Sequence, residues 1–162
     1  MVMTHHRGGT VIFATFVAAI ILTIIPLPDW LVAVRPEWVA LVLIYWCMAL
    51  PTRVGVGFGW SVGLVMDVVR ASLMGQHALS FGILAFITLH VHQRVRVFPL
   101  WQQAFSVLVL ILVHEMLMLW VKGITGQPTQ SLVYWLPSFS SMLVWPVMFL
   151  LLRNLRRRFK VS

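Results

Sequence analysis

The sequence is poor in charged residues, and acidic residues are the scarcest of them. Only 10% of its 162 residues are charged, and 4 are Asp or Glu against 12 Lys or Arg. An ordinary soluble domain is about 25% charged and roughly 45–50% apolar, whereas this chain is 60% hydrophobic with a mean hydropathy of +0.94. A water-soluble fold of this size leaves about a third of its unfolded surface exposed. That surface would be largely apolar here, so most of it must face lipid.

Cysteine is also nearly absent, since Cys47 is the single one. One thiol can form neither an internal disulfide framework nor a cysteine metal cluster. No A-x-A cleavage site follows the first apolar run, and further apolar runs come after it. We therefore interpret that run as a retained span and not as a signal peptide.

Six apolar runs follow one another along the chain. They are Gly9–Ile25, Trp38–Leu50, Val54–Val69, Ala78–Val91, Leu100–Val121 and Leu132–Leu152. About 20 residues of helix cross the ~30 Å hydrocarbon core, and a helix satisfies all of its backbone polar groups in lipid. We predict an all-α integral membrane protein with about six transmembrane helices, with residues 1–152 as one domain and 153–162 as a basic cytoplasmic tail. Because the second run is short, we expect Trp30–Val34 to lie in the interface or to re-enter the bilayer.

The distribution of basic residues predicts the orientation. With the N-terminus inside, three Lys or Arg residues lie outside, namely Arg35, Arg70 and Lys122. Nine lie on the cytoplasmic side: Arg7, Arg53, Arg94, Arg96, Arg153, Arg156, Arg157, Arg158 and Lys160. Short loops that carry an excess of Lys and Arg stay in the cytoplasm. We therefore predict a multi-pass membrane protein with both termini in the cytoplasm.

The net charge of +8 raises nucleic acid as a partner. The basic residues lie beside apolar runs, however, and they form no basic face interleaved with aromatic residues, so we predict no nucleic-acid binding. The cluster that follows the last run comprises Arg156, Arg157, Arg158 and Lys160. Such a cluster anchors the topology and can also contact anionic lipid head groups.

Three short motifs resemble catalytic, metal or cofactor sites, and each is incomplete. The segment from Gly59 to Gly63 matches G-x-S-x-G, but its serine lies in an apolar helical run instead of a strand-to-helix turn. His114-Glu115 begins an H-E-x-x-H zinc site, but Met118 occupies the place of the second histidine. Gly55-x-Gly57 lacks the third glycine of a dinucleotide-binding loop. We therefore predict no catalytic residue, no metal site and no cofactor.

A row of glycines predicts close helix packing. Gly55, Gly59 and Gly63 are spaced four residues apart, so they share one face of a helix and allow another helix to approach. Asp67 follows on the same run, with Arg70 three residues later, a spacing that allows an ion pair. We predict that these residues pack helices or bind a partner.

The outer side of the predicted topology offers two further contacts. Trp30 and Arg35 lie between the first and second runs, where they could touch a partner at the membrane surface.

Glu115 lies well inside the fifth run, with His114 as its near neighbour. An ionisable group at this depth usually faces protein or water, so we expect Glu115 to be protonated or to make an interhelical contact.

The order and spacing of residues along nearly the whole chain resemble the rod shape-determining protein MreD family. The residues that carry the resemblance are Arg35-Pro36-Glu37-Trp38, Tyr45-Trp46, Ala49-Leu50-Pro51, Arg53-Val54, Gly57, Gly59, Gly63, Asp67, Leu73-x-Gly75, Leu79, Leu100-Trp101-Gln102-Gln103-Ala104 and Trp145-Pro146. The chain departs from the family at Ala71, where a glycine is expected after the acidic residue.

The resemblance implies a non-enzymatic component of the bacterial cell-elongation machinery. Its partner would be MreC and, through MreC, MreB filaments, the RodA glycosyltransferase and the elongation transpeptidase. It also implies a fold like the substrate-capture subunits of energy-coupling-factor vitamin transporters. Two functions stay open at this point: a scaffold that binds transmembrane helices, favoured by the glycine face, and a small-molecule binder or transporter. Convergence of Asp67, Arg70, Gln76 and His77 in one cavity would favour the second.

Overall fold

The computed structural model describes residues 9–26, 28–29, 35–51, 54–70, 75–124, 126 and 135–158. Within these ranges the chain forms six helices and no strand, so the all-helical prediction is confirmed. The helices are α1 (Gly9–Ile24), α2 (Trp38–Ala49), α3 (Val56–Val69), α4 (Gln76–Arg96), α5 (Leu100–Ile124) and α6 (Leu136–Arg158).

Three of these helices have the length and composition of membrane spans. They are α4, α5 and α6, with 21, 25 and 23 residues. The other three are apolar but have 16, 12 and 14 residues. At 1.5 Å per residue, the shortest covers about 18 Å of a ~30 Å hydrocarbon core. The number of complete spans therefore stays a prediction.

The helices differ from the predicted runs mainly at their ends. α4 extends from Gln76 to Arg96, beyond the predicted run Ala78–Val91 at both ends, because polar residues do not interrupt a helix. α6 continues to Arg158, so the first part of the predicted basic tail is helical. Positive side chains in the last turn of a helix favour this extension, since they complement the negative end of its dipole. The segment Trp30–Val34 lies outside the described residues.

Helix α2 forms the centre of the bundle. Its ten residues from Val39 to Met48 are all buried, and it contacts α1, α4, α5 and α6. A helix that is apolar all round is stable only when neighbours or lipid surround it. The pairs α3–α4, α4–α5 and α5–α6 pack beside each other around this centre.

Contacts between helix ends show that the bundle has two chemically different ends. Arg35, just before α2, reaches the end of α1, and Glu37 meets the start of α6 at Ser141. The end of α3 meets the start of α4 through Asp67. We call this the polar end. The opposite end, where α4 and α6 terminate in arginines, is the basic end.

Candidate functional site

Asp67 joins the last turn of α3 to the first turn of α4. Its carboxylate accepts hydrogen bonds from the backbone N–H groups of Gly75 at 2.8 Å and His77 at 2.7 Å. It also pairs with Nδ1 of His77 at 2.9 Å, and its side chain is fully buried. The first N–H groups of a helix lack intrahelical partners. Asp67 therefore caps α4 and complements the positive end of its dipole.

Gly75 makes this connection geometrically feasible. Its φ of +96° lies in the left-handed region, which a residue without a Cβ adopts at little cost. The chain can thus turn directly into α4 and present its N–H groups to Asp67. The sequence suggested Arg70 as the partner of this carboxylate, because Arg70 lies one helical turn away. The structure brings the imidazole of His77 to this carboxylate, and it places Arg70 at the exposed C-cap of α3.

The glycine row on α3 lies partly against α4. A Cβ on Gly63 would lie less than 3.0 Å from backbone atoms of His77 and Ala78. A Cβ on Gly59 would lie 2.9 Å from the carbonyl oxygen of Phe81. Gly55, the N-cap of α3, is less crowded, since its nearest such neighbour is 3.9 Å away on Leu89. Two of the three glycines thus lie where α3 and α4 approach backbone to backbone.

A second buried polar cluster brings together three helices. Glu37, His114 and Glu115 offer side-chain ligand atoms that all lie within 4.8 Å of one another. The hydroxyl of Ser80 on α4 hydrogen-bonds to Nδ1 of His114, and the ring of Phe81 stacks on that imidazole with centroids 5.0 Å apart. The interhelical contact expected for Glu115 is therefore present.

One imidazole and two carboxylates form a donor set that suits a divalent metal such as zinc. Of the residues described, Glu37, His114 and Glu115 are those that could hold such an ion. The sequence pattern does not reveal this combination, because an H-E-x-x-H motif places its second ligand one turn along the same helix. The third group comes from Glu37, almost eighty residues earlier, and its only sequence signal is an acidic residue beside a short apolar run.

A cavity of about 390 Å³ adjoins the polar end. It is lined by Thr23, Arg35, Pro36, Glu37, Arg70 and Pro137. The guanidinium of Arg35 donates hydrogen bonds to the carbonyl oxygens of Thr23 and Ile25, the latter at 2.6 Å. Carbonyl groups in the last turn of a helix lack intrahelical partners, so Arg35 closes α1 while it lines the cavity. Trp30, the other residue predicted for this side, lies outside the described residues.

The residues predicted to contact lipid lie at the basic end. Arg157 and Arg158 are exposed on the last turn of α6, and Arg156 is half-buried. Arg156 lines a cavity together with Arg153 and Arg96. Lys160 lies outside the described residues.

Comparison with known proteins identifies the family. No solved structure matches the chain. The chain is 31% identical over 153 residues to the rod shape-determining protein MreD of Haemophilus influenzae, and the match covers 93% of each chain. The family described as rod shape-determining protein MreD matches residues 6–155. With its apolar helices of spanning length, the chain is an integral membrane protein that belongs to the rod shape-determining protein MreD family.

Proposed function

We propose that this protein is a non-enzymatic component of the bacterial cell-elongation complex, which binds MreC in the inner membrane and helps to organise peptidoglycan synthesis. Through MreC it would act on MreB, RodA and the elongation transpeptidase. Membership of a family named for rod-shape determination supports a role in cell shape. The direct partner is our inference from the family resemblance.

The observation that carries the scaffold hypothesis is that the predicted site residues contact the chain's own helices. Asp67 caps α4, and Arg35 closes α1. Gly59 and Gly63 lie against α4. Such contacts fix the relative positions of helices, which is what lateral recognition of a transmembrane partner requires.

The proposal includes six spans in a single domain, with N- and C-termini in the cytoplasm and a fold like that of energy-coupling-factor substrate-capture subunits. Two features support this topology. The helix ends alternate between the polar and the basic end along the chain, as the contacts of Arg35, Glu37 and Asp67 indicate. The arginine-rich end is the one that the distribution of basic residues assigns to the cytoplasm.

The lipid-facing surface offers a defined stripe for a partner helix. On α6, Phe139, Leu143 and Val147 are spaced four residues apart and are 48%, 73% and 66% exposed. They therefore share one face of the helix. We propose this stripe for the first cross-linking experiments with MreC.

The experiment combines co-purification with site-directed cross-linking. Cys47 is buried and is the only cysteine in the sequence, so Cys47→Ala provides a background for single cysteines. New cysteines at Leu143 and Val147 would be tested against single cysteines in the MreC transmembrane segment. A matched control places the cysteine at Val107, which is fully buried on α5.

We expect MreC to co-purify with the protein in detergent and to cross-link to one face of α6 only. We also expect cells that lose the protein to become round. Rod-shaped cells in a deletion strain, together with failure of MreC to co-purify, would refute the proposal. Cross-linking that is equal on all exposed faces would refute α6 as the contact surface while leaving binding itself intact.

A second candidate function is small-molecule binding or transport. The cavity of about 390 Å³ at the polar end favours it, because Arg35, Glu37 and Arg70 give the cavity both positive and negative side chains. Of the four residues that the sequence suggested for such a pocket, Arg70 lines this cavity. Uptake of small solutes into vesicles that contain the purified protein, lost in Arg70→Ala, would support this function over the scaffold.

A further inference from the structure

Three arginines from two helices meet in a cavity at the basic end. Arg96 terminates α4, and Arg153 and Arg156 lie one turn apart near the end of α6. The cavity has a volume of about 140 Å³ and is also lined by Tyr45, Gln103 and Phe149. Since a water molecule takes about 30 Å³ in the liquid, this space is large enough for a compact group such as a phosphate.

All four acidic residues belong to the described part of the chain, and none of their side chains lies near these arginines. The sequence contains 4 acidic residues, Asp29, Glu37, Asp67 and Glu115. The last three belong to the clusters at the polar end, and Asp29 lies in the link between α1 and α2, which meet at that same end. Gln103 on α5 lines the cavity, and Glu115 follows twelve residues later on the same helix. Along the helix axis, Glu115 therefore lies about 18 Å from the cavity. An ion pair requires contact at about 4 Å.

Polar atoms that face this region also lack partners among the described residues. The Nε atom of Arg153 and the Oε1 atom of Gln103 are buried without a hydrogen bond. Gln103 is 2% exposed and is held in place by a hydrogen bond from its Nε2 atom to the carbonyl oxygen of Val95. Arg153 lies over the ring of Phe149, 5.7 Å from its centroid. Among the described residues, the buried Nε donor of Arg153 therefore lacks an acceptor, and an anion in the cavity would supply one.

We propose that Arg96, Arg153 and Arg156 form a binding site for the phosphate group of an anionic membrane phospholipid. Like charges that gather in a partly buried cavity are costly unless an anion compensates them. The planar guanidinium fork donates two parallel hydrogen bonds to a phosphate, so three arginines can hold its oxygens in a fixed geometry. This site is distinct from diffuse attraction by the exposed Arg157 and Arg158, and it does not depend on MreC binding.

The surroundings of the cavity favour a lipid as the source of the phosphate. Immediately after Arg96, Val97 is 80% exposed, and Trp101 at the start of α5 is 70% exposed. Exposed apolar and tryptophan side chains are typical of the membrane interface. The basic end is also the end that we assign to the cytoplasmic leaflet, whose anionic lipids attract juxtamembrane arginines.

The test measures lipid binding to the full chain in detergent. Retention of phosphatidylglycerol and phosphatidylcholine by the purified protein would be compared by native mass spectrometry. Thermal unfolding would be followed with each lipid and with inorganic phosphate. The R96Q/R153Q/R156Q variant removes the cavity charges, and R157Q/R158Q is the matched control that removes exposed charges from the same helix end. Arg153→Lys and Arg158→Lys keep the charge but remove the guanidinium fork.

We expect the wild-type protein to retain phosphatidylglycerol in preference to phosphatidylcholine. Each cavity arginine should contribute roughly fivefold to the affinity, from the electrostatic gain of a basic residue near an anionic surface. Arg153→Lys should weaken the retention of phosphatidylglycerol, whereas Arg158→Lys should not. The reason is that a cavity shaped around guanidinium groups distinguishes arginine from lysine, and an exposed position does not. This lysine comparison still decides the proposal if the triple variant does not fold.

Three results would overturn the site. Equal losses in the triple variant and in R157Q/R158Q would indicate diffuse surface attraction. Equal stabilisation by inorganic phosphate and by phosphatidylglycerol would assign the cavity to a soluble phosphate compound. No preference for an anionic lipid in the wild-type protein, together with capture of an acidic segment of a partner protein, would assign it to protein binding.

Discussion

The carboxylate of Asp67 lies 2.9 Å from Nδ1 of His77, although ten residues separate the two along the chain. The same carboxylate accepts the backbone N–H of His77 at 2.7 Å. One side chain thus holds both the backbone and the side chain of the first turn of α4. This arrangement couples the end of α3 to the start of α4, next to the place where Gly63 brings the two helices together.

The first prediction concerns Asp67→Asn. An amide keeps one acceptor oxygen but turns an NH₂ group towards backbone N–H donors, so at least one buried donor loses its partner. We expect the free energy of unfolding in mixed micelles to fall by about 1–3 kcal/mol, the range for an unsatisfied buried polar group. Arg70→Ala, at the exposed end of the same helix, should lower it less. Equal effects of the two substitutions would contradict the capping role.

The second prediction compares two glycines on α3. Gly63→Ala places a Cβ less than 3.0 Å from the backbone of α4, whereas a Cβ on Gly57 meets nothing within 4 Å. Overpacking of this kind costs about 1–3 kcal/mol, so Gly63→Ala should lower the thermal unfolding temperature. Gly57→Ala should leave it unchanged or raise it, since alanine favours a helix. The close contact of α3 and α4 would be refuted by similar unfolding temperatures.

The third prediction concerns the carboxyl groups of Glu37 and Glu115, whose oxygen atoms lie within 4.8 Å of each other. The amide of Glu115→Gln can still donate to Glu37, so we expect a small change in the free energy of unfolding. Glu115→Leu removes the donor and the acceptor and leaves Glu37 without this partner, which should cost about 1–3 kcal/mol. Unfolding in mixed micelles would measure both. If the glutamine variant proves as unstable as the leucine variant, an ionised Glu115 is required.

The fourth prediction concerns topology. Reporters fused after Gly75 or Gly126 should give periplasmic activity, and reporters fused after Arg53, Val97 or Ser162 should give cytoplasmic activity. The reason is that the excess of Lys and Arg favours retention of the basic loops inside the cell. Paired alkaline phosphatase and green fluorescent protein fusions would measure this. A periplasmic C-terminus would exclude the six-span arrangement.

The sequence by itself determined that lipid surrounds the protein, that the chain is helical and which family it belongs to. Long apolar runs and four acidic residues in the whole chain require lipid around the protein, and lipid requires helices. These conclusions depend on composition and local order, which do not change when the chain folds. Spacing along one helix also predicted that Gly59 and Gly63 share a face. It could not show that α4 is the helix that covers them.

Only the tertiary structure decided which polar groups meet. Local spacing pointed from Asp67 to Arg70, and it gave no sign that the turn at Gly75 brings His77 to the same carboxylate. Similarly, the half-complete motif at His114 and Glu115 acquires Glu37, which precedes α2 in the sequence, and Arg96 joins arginines almost sixty residues later. The physical reason is that burial in lipid forces polar groups to find partners wherever packing places them. Helix packing decides which groups become partners, and separation along the sequence does not encode that packing.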